Sequence, residues 1–197
     1  MRRYPLYFLI DTSGSMKGEF IDLVNAGLET LITHLRNDPF ALELIWISII
    51  TFDREAKCIL PLSPLHNMEI PHLTTPDSGP TQTNLALRLL TERLHVEVNS
   101  DKASGVLDRS PYLFLITDGR PSSEADYITI VNKVKKLNWT GITVCGITAR
   151  ANLRFLEHLT NDVYLFDSNI KTSMNNFFEN IVPKLIWSWV EAPISKV

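Results

Sequence analysis

Cysteine is nearly absent from this chain: Cys58 and Cys145 are the two in 197 residues, each within an apolar run. That scarcity excludes a disulfide framework or a cysteine-rich zinc site, and both thiols read as small buried hydrophobes. Nowhere does an apolar run reach the roughly 18 residues of a membrane span. After Met1-Arg2-Arg3-Tyr4-Pro5 come only about five apolar residues, short of the roughly 7–15 of a secretory signal core. A reducing, cytoplasmic setting with no membrane contact is the expectation. An excess of one charge is missing too, since the net charge is -3 and the pI near 5.9. No nucleic-acid partner is expected, because such domains carry a basic face and a pI above roughly 9. The one dense basic group, Lys133, Lys135 and Lys136, reads as a solvated helix face.

Several catalytic signatures are also lacking. The Gly-x-Ser-x-Gly nucleophile elbow is absent, and around Gly14-Ser15-Met16-Lys17-Gly18 the glycine spacing of a phosphate-binding loop is not met. His34, His66, His72, His95 and His158 are scattered in sequence, none adjoining the motifs described below, so no Ser-His-Asp set is assembled.

What the chain does have is alternation. Apolar runs at Leu6–Ile10, Leu42–Phe52, Ala56–Pro61, Tyr112–Thr117, Thr143–Thr148 and Val163–Phe166 predict buried strands. Between them, helical spacing predicts Gly18–Leu35, Asn84–Val96, Glu124–Leu137, Ala151–Leu159 and Ile170–Val190. This pattern predicts one α/β domain over residues 1–197, with a central mostly parallel sheet and helices on both faces. The short Asp53-Arg54-Glu55 link makes a hairpin, which puts one antiparallel strand at the sheet edge. Four prolines in Leu62–Pro80 predict an irregular surface excursion, and polar Asn99–Ser110 a mobile loop. The last helix is expected to pack on the core with a kink at Pro183, leaving Trp187 exposed.

Oxygen donors recur where strands end. Asp11-Thr12-Ser13-Gly14-Ser15 follows the first strand, Gly79-Pro80-Thr81 precedes a helix, and Thr117-Asp118-Gly119 closes the fourth of the predicted strands. Individually these are ordinary caps and turns. In an open α/β sheet, however, ligands bind outside the carboxyl ends of strands where the strand order reverses. If the first strand and Tyr112–Thr117 flank that reversal, Asp11 and Asp118 face one small volume. Hard divalent cations take such oxygen ligands, Mg²⁺ in near-octahedral order.

Asp11-x-Ser13-x-Ser15, the threonine before a helix and the later Thr-Asp-Gly resemble the metal-ion-dependent adhesion site, or MIDAS, of von Willebrand factor type A (vWA) domains, a Rossmann-like three-layer fold. The likeness runs from Tyr4 to about Val190. Arg2-Arg3-Tyr4-Pro5-Leu6-Tyr7, Ile50-Thr51-Phe52-Asp53 and Ile59-Leu60-Pro61-Leu62-Ser63-Pro64-Leu65 are similar to small bacterial members of the TerY type, which are associated with tellurite resistance and other stress or conflict gene clusters. The resemblance implies Ser13, Ser15 and Thr81 as hydroxyl ligands, with Asp11 and Asp118 acting largely through bound water. Thr81 is preferred to Thr83 because Ala86 and Leu87 fall at the family's small and apolar offsets. Mg²⁺ is the implied ion, with Mn²⁺ or Ca²⁺ as alternatives.

An ion held this way stays electrophilic and accepts an Asp or Glu from a protein partner. Met16, Lys17, Gly119 and Arg120 are the expected rim, Arg120 adding a bidentate contact to the incoming carboxylate. The implied role is non-enzymatic: a metal-dependent adaptor in stress-response, tellurite-resistance or phage-defence signalling, whose partners by analogy include a Ser/Thr kinase and a phosphatase encoded nearby. A Mg²⁺-dependent phosphohydrolase or phosphotransfer enzyme is the alternative. Aspartyl-phosphate hydrolases open with Asp-x-Asp, and Ser13 here replaces the second carboxylate.

Overall fold

Strand β1, Arg2–Asp11, carries large side chains on both sides: Leu6, Phe8 and Ile10 point into one core, Tyr7 and Leu9 into another. A strand apolar at both parities has to be covered on both faces. The computed structural model, which describes residues 2–77, 79–98, 107–147, 153–166 and 169–191, supplies that cover with two helical layers. Helix α1 (Glu19–Arg36), the short α2 (Pro39–Leu44) and the C-terminal α6 (Ile170–Asn176) and α7 (Val182–Glu191) lie on the first face. Helices α3 (Thr83–Glu97), α4 (Glu124–Val134) and α5 (Leu153–Leu159) cover the second.

Between the layers runs a sheet of order β3-β2-β1-β5-β6-β7. Its strands are β2 (Ile45–Phe52), β3 (Ala56–Pro64), β5 (Tyr112–Thr117), β6 (Gly141–Gly146) and β7 (Val163–Leu165) beside β1, while the two-residue β4 (Leu107–Asp108) pairs with the start of β1. Among the described strands only β2–β3 is antiparallel, at one edge, as the hairpin predicted. From β1 the chain builds outward to β2 and β3, then returns to lay β5 on β1's other side. The order therefore reverses between β1 and β5. In that register Ile10 pairs with Ile116, which brings Asp11 level with Thr117 at the carboxyl edge.

Several local expectations are corrected. Leu42–Leu44 is helix rather than strand: the Asp38 carboxylate accepts from the N–H groups of Phe40 and Ala41, and Pro39 opens the turn. Strand β3 continues through Pro61 to Pro64, which an edge strand tolerates because its outer N–H positions need no partner. The C-terminal break is a π-helical turn, Phe177–Ile181, in which the Val182 N–H donates to the Phe177 carbonyl. Pro183 lacks an N–H and its ring crowds the carbonyl four residues back, in that turn. Trp187 is half-buried against the core rather than exposed. Cys145 is buried and Cys58 half-buried, both as free thiols. Most of the predicted 99–110 loop lies outside the described residues, as do Thr148 and the start of the predicted Ala151–Leu159 helix. Among the described residues no helix is long and apolar enough to cross a membrane.

Candidate metal centre

Three loops converge at the reversal between β1 and β5. The first leaves β1 at Asp11 and winds into a 3₁₀ turn, Gly14–Met16, before Gly18 turns the chain at φ 85° into α1. A side chain at Gly18 would be strained at that φ. The second is the end of the proline-rich excursion, where Thr81 precedes α3. The third follows β5 through Thr117, Asp118 and Gly119.

The five predicted donors meet there. Ser13 Oγ and Ser15 Oγ are 3.1 Å apart, the Ser15 hydroxyl donates to Asp118 Oδ1 at 2.9 Å, and the Thr81 hydroxyl donates to Ser13 Oγ at 3.3 Å. Asp11 lies beneath them, fully buried, accepting from the Ser13 N–H at 2.9 Å and from the Thr117 hydroxyl at 2.6 Å. Exposure rises outward, from Asp11, Ser13 and Asp118 in the interior through half-buried Thr81 to exposed Ser15. Solvent reaches the cluster at Ser15.

These spacings can be tested against ion size. With Mg–O bonds of about 2.0–2.1 Å, adjacent oxygens of an octahedron lie about 2.9 Å apart, whereas Ca–O bonds of about 2.3–2.6 Å set them about 3.3–3.7 Å apart. Contacts of 2.9, 3.1 and 3.3 Å run from the smaller spacing to the edge of the larger, and each is a hydrogen-bond length that does not choose between the two ions. Three hydroxyls and two carboxylates are hard donors, and the residues fit a hard divalent cation. Among the described residues no group of three His, Cys, Asp or Glu gathers to hold a metal, so this cluster relies on hydroxyls beside its two carboxylates.

Burial raises the Asp11 pKa to about 6, an effect partly offset by the hydrogen bonds from Thr117 and Ser13 and reinforced by the nearby Asp118 charge. A cation at this point would reverse that penalty.

Supporting contacts that the sequence did not reveal hold the loops in place. Thr117 anchors Asp11 and also accepts the Gly119 N–H at 3.1 Å. Gly119 lets the Asp118 loop approach, because a Cβ there would stand 2.9 Å from Thr81 Oγ1. The Thr81 carbonyl accepts from the Ser122 N–H at 3.0 Å and hydroxyl at 3.1 Å. Thr83 starts α3, buried. Thr117 sits inside the Thr-Asp-Gly string, which was its one sequence signal.

The rim differs in part from expectation. Met16 is fully buried in the core under α1, so it is no rim residue: the 3₁₀ turn directs its thioether inward. Lys17 is exposed and ion-paired with Asp77 of the excursion. Gly119 is half-buried, and exposed Arg120 rests its guanidinium 5.6 Å from the Phe155 ring centroid. His72, remote in sequence, reaches a cleft that Thr12 also lines, so one histidine does come near the donor loop.

A doubly wound α/β sheet with oxygen donors gathered at its reversal defines the class. The von Willebrand factor type A domain model matches residues 6–180, and the chain belongs to that family. Among curated proteins none matches significantly. Solved structures of the same fold include a von Willebrand factor type A protein from Catenulispora acidiphila, with TM-score 0.70 and 14% identity over 93% of this chain and 43% of that one. The pilus adhesin SpaC of Lactobacillus rhamnosus GG superposes with TM-score 0.69 and 13% identity over 94% of this chain and 30% of its own. Proximal thread matrix protein 1 of the mussel byssus, solved with zinc occupying its MIDAS motif, gives TM-score 0.64 and 15% identity over 90% and 45%. The chain thus spans less than half of each of these three proteins.

Proposed function

We propose that this chain is a metal-dependent protein-binding module whose ion is held by Asp11, Ser13, Ser15, Thr81 and Asp118. The observation that carries the reading is the convergence of three hydroxyls and two carboxylates from three loops, with contacts of 2.9–3.3 Å among the hydroxyls and Asp118, around a point that solvent reaches at Ser15. When bound, the ion supplies Lewis acidity toward a carboxylate oxygen. The chain's own residues hold the donor set: Asp11 ties Ser13 to β1, Thr117 orients Asp11, and Ser122 fixes Thr81. Neutral hydroxyls on the exposed side leave the cation's charge incompletely offset, which favours an Asp or Glu from another protein.

Mg²⁺ is the ion we assign, because the donor set is all hard oxygen and its order is similar to that of the MIDAS motif. Likeness to TerY-type proteins supports a cytoplasmic adaptor role in bacterial stress, tellurite-resistance or phage-defence signalling, with a Ser/Thr kinase and a phosphatase as partners. We read the domain as non-enzymatic because Ser13 occupies the place of the acid–base carboxylate of Asp-x-Asp hydrolases. Affinity capture from the native host with wild type and Asp11→Ala, each with Mg²⁺ or with chelator, tests the reading. A partner retained only by wild type in Mg²⁺ is expected. Partners indifferent to both chelator and Asp11→Ala, or phosphate-ester turnover that vanishes in Asp11→Ala, would overturn it.

A further inference from the structure

At the amino edge of the sheet, the ends of α3, α4 and α5 meet the starts of β5 and β6. Pro111 precedes β5 and Asp118 follows it, so six strand residues, on the order of 20 Å, separate this edge from the donor cluster. Two clefts open here, of about 360 and 400 Å³, and they share Leu137 and Asn138 as walls. Leu94, His95 and Val98 are among the other walls of the first, and Lys135, Trp139 and Ile142 among those of the second. The ridge between them is fixed. The Trp139 indole N–H donates to the Val134 carbonyl at 2.8 Å, and the Thr140 N–H donates to the Pro111 carbonyl at 2.9 Å. Leu137 nevertheless stays 38% exposed.

The basic group of α4 stands on this ridge. Past Val134 the helix tightens, the Lys136 N–H donating to the Lys133 carbonyl at 3.1 Å and the Leu137 N–H to the Val134 carbonyl at 3.0 Å. Residues three and four apart are neighbours in a helical turn, so Lys133 adjoins both Lys136 and Leu137. All three lysines are exposed, and among the described residues none is ion-paired with a carboxylate. Lys135 donates to the His158 carbonyl at 3.0 Å, which leaves its charge uncompensated. Of the acidic residues close in sequence to the cleft walls, Glu92, Glu97, Glu157 and Asp162, none lines either cleft. Glu97 is committed to Arg93 and the Tyr7 hydroxyl, and Asp162 to the Thr143 hydroxyl. One lysine would complement the carboxyl end of a helix, whereas three in one turn repel each other.

We propose that this edge docks an acidic segment of a partner protein, its bulky apolar side chains filling the two clefts and its carboxylates lying against Lys133, Lys135 and Lys136. The unpaired lysines select an anionic partner. The apolar walls select a protein, because a nucleic-acid backbone or a lipid headgroup has nothing to place against Leu94, Val98, Leu137 and Ile142. Docking here is independent of the ion and compatible with its occupancy, since the two surfaces lie at opposite ends of the strands.

Three blocked peptides test this by amide chemical shift: Asp-Glu-Leu-Asp-Glu-Phe-Asp, the same peptide with Ala for Leu and Phe, and the same peptide with Asn and Gln for its acids. The first should shift the amides of Leu137 and Asn138 and the Trp139 indole N–H, with one affinity whether or not Mg²⁺ is present. Each altered peptide should bind at least about fivefold more weakly, a comparison that needs no variant protein. The double variant Lys133→Glu/Lys136→Glu should lose as much, while Lys171→Glu/Lys184→Glu, the same charge change on α6 and α7, should lose nothing. Absence of these shifts, shifts confined to the donor loops, or equal binding by the alanine peptide overturns the proposal. So does an oligothymidylate or a phosphatidylserine vesicle that binds this edge as tightly as the first peptide. None of these outcomes bears on the metal reading, which stands or falls on Mg²⁺ and Asp11→Ala.

Discussion

Asp11 is fully buried, and its carboxylate is committed to the Ser13 N–H and the Thr117 hydroxyl. With a pKa raised to about 6 by burial, the metal-free fold takes up a proton between the ordinary carboxylate range and pH 6. Protonation therefore favours the metal-free native state: that contribution is complete below about pH 4 and lost as pH rises through about 6. Metal binding needs the ionised form, so the two compete. Mg²⁺ affinity should be flat above about pH 7 and fall by up to about tenfold per unit below pH 6. Thr117→Val removes a hydrogen bond that lowers the Asp11 pKa and should move the fall-off to higher pH. Calorimetric titration with Mg²⁺ at pH 5, 6 and 7.5 checks both, and an affinity independent of pH would contradict the coupling. That Asp11, Ser13, Ser15, Thr81 and Asp118 would meet was legible from the sequence because their types and order are unusual together. Thr117's part was not, because a hydroxyl at a strand end has many routine uses and only the β1–β5 register puts this one against Asp11. Met16 failed for a related reason, since the 3₁₀ turn reverses which way its side chain points.

Elements pack here with little slack. Gly27 lies in the middle of α1 against the π-helical turn, and a Cβ added to it would sit 2.1 Å from Phe178 Cδ2. Phe178 is itself fully buried, with Phe177 edge-on at 5.4 Å, so the ring has no room to retreat. Gly27→Ala should destabilise by about 1–3 kcal/mol despite alanine's better helix propensity. Thermal unfolding would show a lowered Tm, and adding Phe178→Leu should return part of the loss as a coupling in a double-mutant cycle. A Gly27→Ala protein as stable as wild type would mean that the C-terminal helices do not press on α1. Most elements could be read from apolar period, because a strand buried on both faces or a helix with one apolar stripe leaves a long signal. The exceptions are short or compensated. Helix α2 spans only Pro39–Leu44 and is announced by Asp38-Pro39, while the apolar run beginning at Leu42 resembles a strand. The π turn has no periodic mark, since it is where Pro183 and the packing of two adjacent phenylalanines are reconciled.

Across the whole molecule, the proposed function is a matter of where the sheet changes direction. The strand alternation foretold a parallel sheet, and the reversal beside β1 followed from requiring the donors to meet; the proline-rich excursion was legible as irregular, but where it packs was not, because irregular backbone carries no period. Since an ion at the reversal joins loops after β1, before α3 and after β5, it binds the native state and not the unfolded chain. It should stabilise by RT ln(1 + [L]/Kd), about 2.7 kcal/mol at a hundredfold excess over Kd. For a chain of this size each kcal/mol moves Tm by about 2–4 °C, so saturating Mg²⁺ should raise it by roughly 5–11 °C at pH 7.5. The rise should vanish in Asp11→Ala and shrink toward pH 5, where Asp11 is protonated. By reciprocity a partner that supplies a carboxylate to the ion must tighten the ion by the same factor that the ion tightens the partner. Were Mg²⁺ to leave Tm unmoved alone yet raise it in the presence of an acidic peptide, the three loops would be holding the ion too weakly by themselves, and the partner's carboxylate would be part of the metal site rather than a visitor to it.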